Sequence, residues 1–163
     1  MFLRKTTWIA ISGAIWFIVG VGLLTLGLHF IVYKAQIEVQ ETSSLIAKIA
    51  PVVGGREQAA LMLIVVGLII GFIKGRFALA KTVQRVVERI LKLKSPIKFS
   101  QVYSKGYLLL IAGMMLLGLS MKWLGLPMEI RGTIDVAIGS ALMNGAVAYF
   151  RTAFVLLRRT EEP

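Results

Sequence analysis

Four stretches of this chain are apolar for long enough to cross a bilayer, and charged positions punctuate them. They run from about Trp8 to Tyr33, Gln58 to Phe77, Gly106 to Leu124 and Arg131 to Phe154. A transmembrane helix needs roughly 20 predominantly apolar residues at about 1.5 Å each. The first stretch exceeds that length and is expected to tilt or to extend past the outer surface. The other three have uncharged centres, Gln58–Ile73, Gly106–Met121 and Val136–Phe150, each bounded by charge. Lys74, Lys105, Lys122 and Arg151 are placed to reach the interface along their apolar stems. The pattern predicts an all-α integral membrane protein, a four-transmembrane-helix bundle forming a single domain.

One stretch changes period. Lys74 to Lys94 reads KGRFALAKTVQRVVERILKLK. Apolar residues fall at Leu79, Val83, Val86, Val87, Ile90 and Leu93, and basic residues at Lys81, Arg85, Arg89 and Lys92. At 3.6 residues per turn these are two faces of one amphipathic helix over 75–94, ended by Ser95-Pro96. The second span is expected to continue into it, or to bend at Gly75 so that it lies along the inner leaflet. The 34–57 connection is expected to form an interfacial turn around Leu45–Ile49, broken by Pro51 and Gly54-Gly55.

Composition agrees with the patterning. Hydrophobic residues make up 57% of the 163 residues and charged residues 17%; mean hydropathy is +0.80. A soluble domain of this size could not bury so much apolar surface. The first stretch is preceded by Arg4 and Lys5, as a signal peptide would be, but no charge appears from Thr6 through Tyr33, 28 positions. That is well beyond a signal-peptide core, so an uncleaved anchor is expected.

Charge then gives direction. The formal net charge is +11, and its location matters more than its size. The 74–105 connection carries nine basic residues against Glu88 alone, whereas the 34–57 and 121–135 connections are balanced. With the termini included, 14 basic residues lie on one side and 5 on the other. The basic side faces the cytoplasm. The expected topology therefore has both termini cytoplasmic, in a membrane of the bacterial inner-membrane type. Trp8, Tyr103, Tyr107 and Tyr149 fall near the inner interface, and Tyr33 and Trp123 near the outer one, as aromatic belts require. Trp16 is the exception, about two turns into the first span.

Two internal likenesses suggest a duplicated hairpin. Ile18-Val-Gly-Val-Gly-Leu-Leu-Thr-Leu resembles Ile111-Ala-Gly-Met-Met-Leu-Leu-Gly-Leu. Gly71, Phe77 and Arg85 are spaced loosely as Gly145, Phe150 and Arg158 are. Such a repeat would relate the hairpins about an axis along the membrane normal, as in some transporters, although apolar helices share composition by default. Gly67, Gly71 and Gly75, four apart, mark a helix-packing face, either within the chain or between copies of it. Gly13, Gly20, Gly22 and Gly27, or Gly132 and Gly139, are candidate partner faces.

The candidate chemistry is sparse. The chain has no cysteine and one histidine, His29, so no metal site and no cofactor is expected. No paired carboxylates, nucleophile–base set or phosphate loop is recognisable. Asp135, about one turn inside the fourth span, is expected to pair with Arg131 four residues earlier. Asn144, near the midplane, is expected to hydrogen-bond to another helix.

The expected function is therefore non-enzymatic, exerted by binding. Lys74, Arg76, Lys81, Arg85, Arg89 and Lys92 would meet the anionic lipids of the inner leaflet, or the helix would dock to a membrane or cytoplasmic protein through its apolar face. The partner could equally be a second copy of the chain. Arg85 and Arg89 together are a further candidate phosphate grip. Nucleic acid is disfavoured, because no aromatic stacking platform is interleaved with the basic residues. A small transporter or channel subunit using Asp135 and Asn144 is the alternative, and a lipid-acting enzyme the third reading.

Overall fold

A computed structural model describes residues 5–37, 44–92, 113, 116, 120, 121 and 123–161. The described elements are helical. Helix α1 spans Lys5–Gln36, α2 Leu45–Val53, α3 Arg56–Lys74, α4 Ala80–Lys92 and α5 Met128–Glu161. Three helical stretches are long and apolar enough to cross a membrane: Lys5–Gln36, Arg56–Lys92 and Met128–Arg158. The first, second and fourth expected spans are thus present as helices, each longer than its apolar stretch. The third, Gly106–Leu124, lies almost wholly outside the described residues, and with it half of the hairpin likeness. Its end is described. Leu124 donates to the Ser120 carbonyl and Leu126 to that of Met121. Gly125 has a φ of 63°. A six-to-one hydrogen bond around a left-handed glycine is how many helices terminate.

The core is organised around α5. Its positions Gly132, Gly139, Ala146 and Ala153 recur every seven residues and are all buried. Opposite them lie Gly13, Gly20 and Gly27 of α1, also seven apart and buried. A Cβ added to Gly20 would come within 3.0 Å of the Gly139 carbonyl oxygen, and one on Gly139 within 2.7 Å of that of Gly20. Gly27 and Gly132 stand in the same reciprocal relation, and Gly13 meets the Cβ of Tyr149. Ascending numbers on α1 meet descending numbers on α5, so the two helices are antiparallel.

A second seam lies on another side of α5. Cβ atoms on Gly67, Gly71 and Gly75 would strike Thr133, Ala137 and Ala141 respectively. The numbers rise together, so α3 and α5 run parallel. Gly67, Gly71 and Gly75 therefore pack on α5 within the chain. Their neighbours there are Thr133, Ala137 and Ala141 and not Gly132 or Gly139, which face α1. The close approach lets the Ser140 hydroxyl donate across the seam to the Leu68 carbonyl at 3.5 Å. Lipid tails are as apolar as leucine, so backbone proximity and dispersion, rather than water exclusion, hold such helices together.

Apolar clusters close both ends. One joins Ile9 and Trp16 of α1, Val83, Val87 and Ile90 of α4, and Leu142, Ala146, Tyr149 and Ala153 of α5. Trp16, the misplaced interfacial aromatic of the sequence, is 4% exposed. It meets Tyr149 edge-on at 5.6 Å, and its ring occupies the space a side chain at Gly145 would need. The other cluster joins Ile31, Ile46, Ala59, Ala60, Leu63 and Val136, which seats α2 against α1 and α3. Pro51 does not break α2; it lies inside the helix, which ends at Gly54 with a φ of 97°.

Between α3 and α4 the helix widens into a π-helical segment, Gly75–Leu79. It does not bend away from the bundle. The stretch Arg56–Lys92 is one helical run of 37 residues, about 55 Å at about 1.5 Å per residue. That is well beyond a hydrocarbon core of about 30 Å. At its end the Lys5 ammonium donates to the Leu91 carbonyl at 2.6 Å, a cation on the carbonyl end of a helix. Leu93, Lys94 and the expected Ser95-Pro96 stop lie outside the described residues.

The seams generate a contrast that can be measured. Gly71→Leu should lower thermal stability in detergent by about 2 kcal/mol or more, because overpacking a tight contact costs about 1–3 kcal/mol. Gly22→Leu should be neutral, since Gly22 of α1 faces open space. Equal unfolding temperatures for the two variants would show that the α3–α5 seam is not close-packed.

Candidate functional site

The end of α3, the π-helical segment and α4 carry the basic residues. Lys74, Arg76, Lys81, Arg85, Arg89 and Lys92 are all exposed, as is Glu88 among them. Val83, Val87 and Ile90 on the opposite side of α4 are buried against α1 and α5. The helix is thus anchored by its apolar side and presents its charged side outward. The chain itself covers Val83, Val87 and Ile90 on that apolar side. Arg85, Glu88, Arg89 and Lys92 line only a shallow surface depression. The Arg85–Arg89 phosphate grip is accordingly open and shared with an acid.

A second basic feature is assembled from two helices. Gly75, Arg76 and Ala80 face Asn144, Gly145, Val147, Ala148 and Arg151 across an open cleft of about 480 Å³. Close contact of Gly75 with Ala141 and Asn144 forms its floor. Asn144 donates to the Ser140 carbonyl of its own helix at 3.1 Å. The hydrogen bond expected of Asn144 across helices is made instead by Ser140, one turn earlier.

At the other end of the bundle Arg131 stands near enough to act on the charge of Asp135, as their spacing predicts, but the two do not close into a salt bridge. The Arg131 guanidinium lies over the Phe30 ring, 5.4 Å from its centroid, a distance at which a cation is attracted by the ring face. Asp135 is 8% exposed. His29 stacks on Tyr33, one turn away, at 5.8 Å. Among the described residues no group of three or more His, Cys, Asp or Glu side chains could hold a metal ion.

Glu129 is the residue that sequence reasoning missed, having counted it only as a loop charge. It is 0% exposed. Its Oε1 accepts from the Ser44 hydroxyl at 3.0 Å and from the Leu45 amide at 2.7 Å. Ser44 in turn accepts from the Ala47 amide at 3.5 Å. A carboxylate on the free amides of a helix start is stabilised by the helix dipole, so Glu129 ties α2 to the start of α5. The only signal in the sequence was an acid in the first turn of the last span.

Comparisons with protein-family models, with known proteins and with solved structures found nothing that matches the chain.

Glu129→Ala should release α2, since losing a helix cap costs about 1–2 kcal/mol. Amide hydrogen exchange over residues 45–50 should accelerate while exchange in α5 stays slow. Unchanged protection of α2 would show that apolar contacts alone hold it.

Proposed function

We propose that the chain is a four-span protein of a bacterial inner membrane, with both termini cytoplasmic, that acts by binding anionic lipid through the charged side of α4. No catalytic role is included. One observation carries the reading: α4 is packed into the bundle by Val83, Val87 and Ile90, so its exposed basic side has a fixed place and direction.

The span count is supported by the direction of the helices. Parallel packing of α3 and α5 puts Lys92 at one end of the bundle and Met128 at the other. The described chain thus leaves the bundle at one end and resumes at the other, and Gly106–Met121 is the uncharged stretch of sequence between them. The helix end at Gly125 lies where such a span would finish. Orientation rests on the 14-to-5 distribution of basic residues, which places α4 at the cytoplasmic leaflet. There each Lys or Arg near the surface contributes about 1 kcal/mol of attraction to anionic lipid.

Lys81→Gln, Arg85→Gln and Arg89→Gln combined should reduce the enrichment of anionic over zwitterionic lipid around the purified protein, by about fivefold for each residue replaced. The wild-type enrichment should also fall as salt rises. An enrichment that resists both changes would contradict the proposal.

The burial of Asp135 in the first turns of a candidate span favours a second reading, a small transporter or channel subunit in which Asp135 handles a proton or cation. An intramembrane acid is costly unless it is paired, solvated or in use. On this reading reconstituted protein passes protons or cations, and Asp135→Asn abolishes the flux. Wild-type protein with no flux would remove it.

A further inference from the structure

We infer that the cleft between Arg76 and Arg151 is a specific site for the phosphate of an anionic phospholipid headgroup. The inference rests on the proposed lipid-binding reading and narrows it from a charged surface to one site.

The cleft differs in kind from the charged side of α4. Its two arginines are 75 positions apart in sequence and line one cleft because of the α3–α5 seam at Gly71 and Gly75. No acid lines the cleft, whereas Glu88 sits among the arginines of α4. Guanidinium groups bind phosphate oxygens in pairs with a geometry that ammonium groups lack. Asn144, which its contact with Gly75 sets level with the Lys74 end of α3 and not at the midplane, stands on the same wall, its side chain held by the Ser140 carbonyl. An amide carries two N–H donors, so one serves that hold and the other remains for a ligand oxygen. The site coincides with the π-helical segment Gly75–Leu79, and π-helical turns inserted in α-helices are frequent at functional sites.

The surroundings select a lipid over a free phosphate. The cleft is open, and apolar side chains stand exposed on both helices beside it. Ile73 is 49% exposed and Phe77 70% on one side, and Val147 is 51% and Phe150 39% on the other. Acyl chains descending from a headgroup in the cleft would cover these side chains, and a soluble anion would leave them bare. Lys74 and Arg151 bound the uncharged centres of the second and fourth expected spans, so the cleft lies at the depth where phosphate groups reside.

The test uses the whole protein in phosphatidylcholine nanodiscs doped with phosphatidylglycerol, with retained phosphatidylglycerol counted by native mass spectrometry. Wild-type protein should show one saturable site that persists in high salt. Arg76→Gln with Arg151→Gln should weaken it by roughly tenfold for each arginine, the scale of a lost hydrogen bond to a charged group. Arg76→Lys with Arg151→Lys keeps the charge but not the fork, and should give a smaller loss in a variant whose folding is less in question. Neutralising Lys81, Arg85 and Arg89 should leave the saturable site in place and remove only the salt-sensitive remainder.

Retention unchanged in both arginine pairs, with the α4 variant defective, would overturn this inference and leave the lipid-binding reading standing. Retention unchanged in all three variants would overturn both. Inorganic phosphate that displaces phosphatidylglycerol in an Arg76- and Arg151-dependent way would overturn the assignment to lipid.

Discussion

The structure depends on how closely α5 approaches two neighbours at once. On one side its Gly132 and Gly139 touch the backbone of α1 at Gly27 and Gly20. On another side Thr133, Ala137 and Ala141 receive the glycines of α3. In a bilayer neither contact is driven by water exclusion, so each depends on the absence of side chains at the seam. The two seams also fix direction. With α1 antiparallel and α3 parallel to α5, α4 falls beside the first turns of α1 and the last turns of α5, where Ile9, Tyr149 and Ala153 receive it. The cleft at Arg76 and the placement of Glu129 on α2 follow from the same register.

Much of this was legible in the sequence. The apolar stretches at Trp8–Tyr33, Gln58–Phe77 and Arg131–Phe154 became helices, because nothing but a helix satisfies the backbone over such lengths in lipid. The 3.6-residue period of 79–90 placed Val83, Val87 and Ile90 on the buried side of α4. Less was legible in the packing. The four-residue spacing of Gly67, Gly71 and Gly75 was conspicuous, but the seven-residue spacing of Gly13, Gly20 and Gly27, matched by Gly132, Gly139, Ala146 and Ala153, was not read as a seam. Such a repeat holds one stripe in contact with a supercoiled partner, so it is a signal the sequence does contain.

The polar residues were the least legible, because their partners depend on tertiary register. Arg131 and Asp135 have the spacing for a pair and Arg131 acts on the Asp135 charge, but its guanidinium also lies over Phe30 of α1. Asn144 turns to its own helix, and Ser140 makes the bond that crosses. Glu129 was counted as one of several balancing charges, although no described side chain is more fully withdrawn from solvent. Arg76 and Arg151 were separate membrane-edge residues until the α3–α5 seam placed them on facing walls of one cleft.

What unites these features is a rigid basic helix held at one end of the bundle, and its side of the membrane decides what it can meet. The chain contains no cysteine, so Lys81→Cys and Lys48→Cys each introduce a single reactive thiol at an exposed position, one at either end of the bundle. A membrane-impermeant maleimide should label Lys81→Cys only in inverted vesicles and Lys48→Cys only in intact cells. Labelling of Lys81→Cys in intact cells would put the basic helix on the wrong side of the membrane and contradict the account.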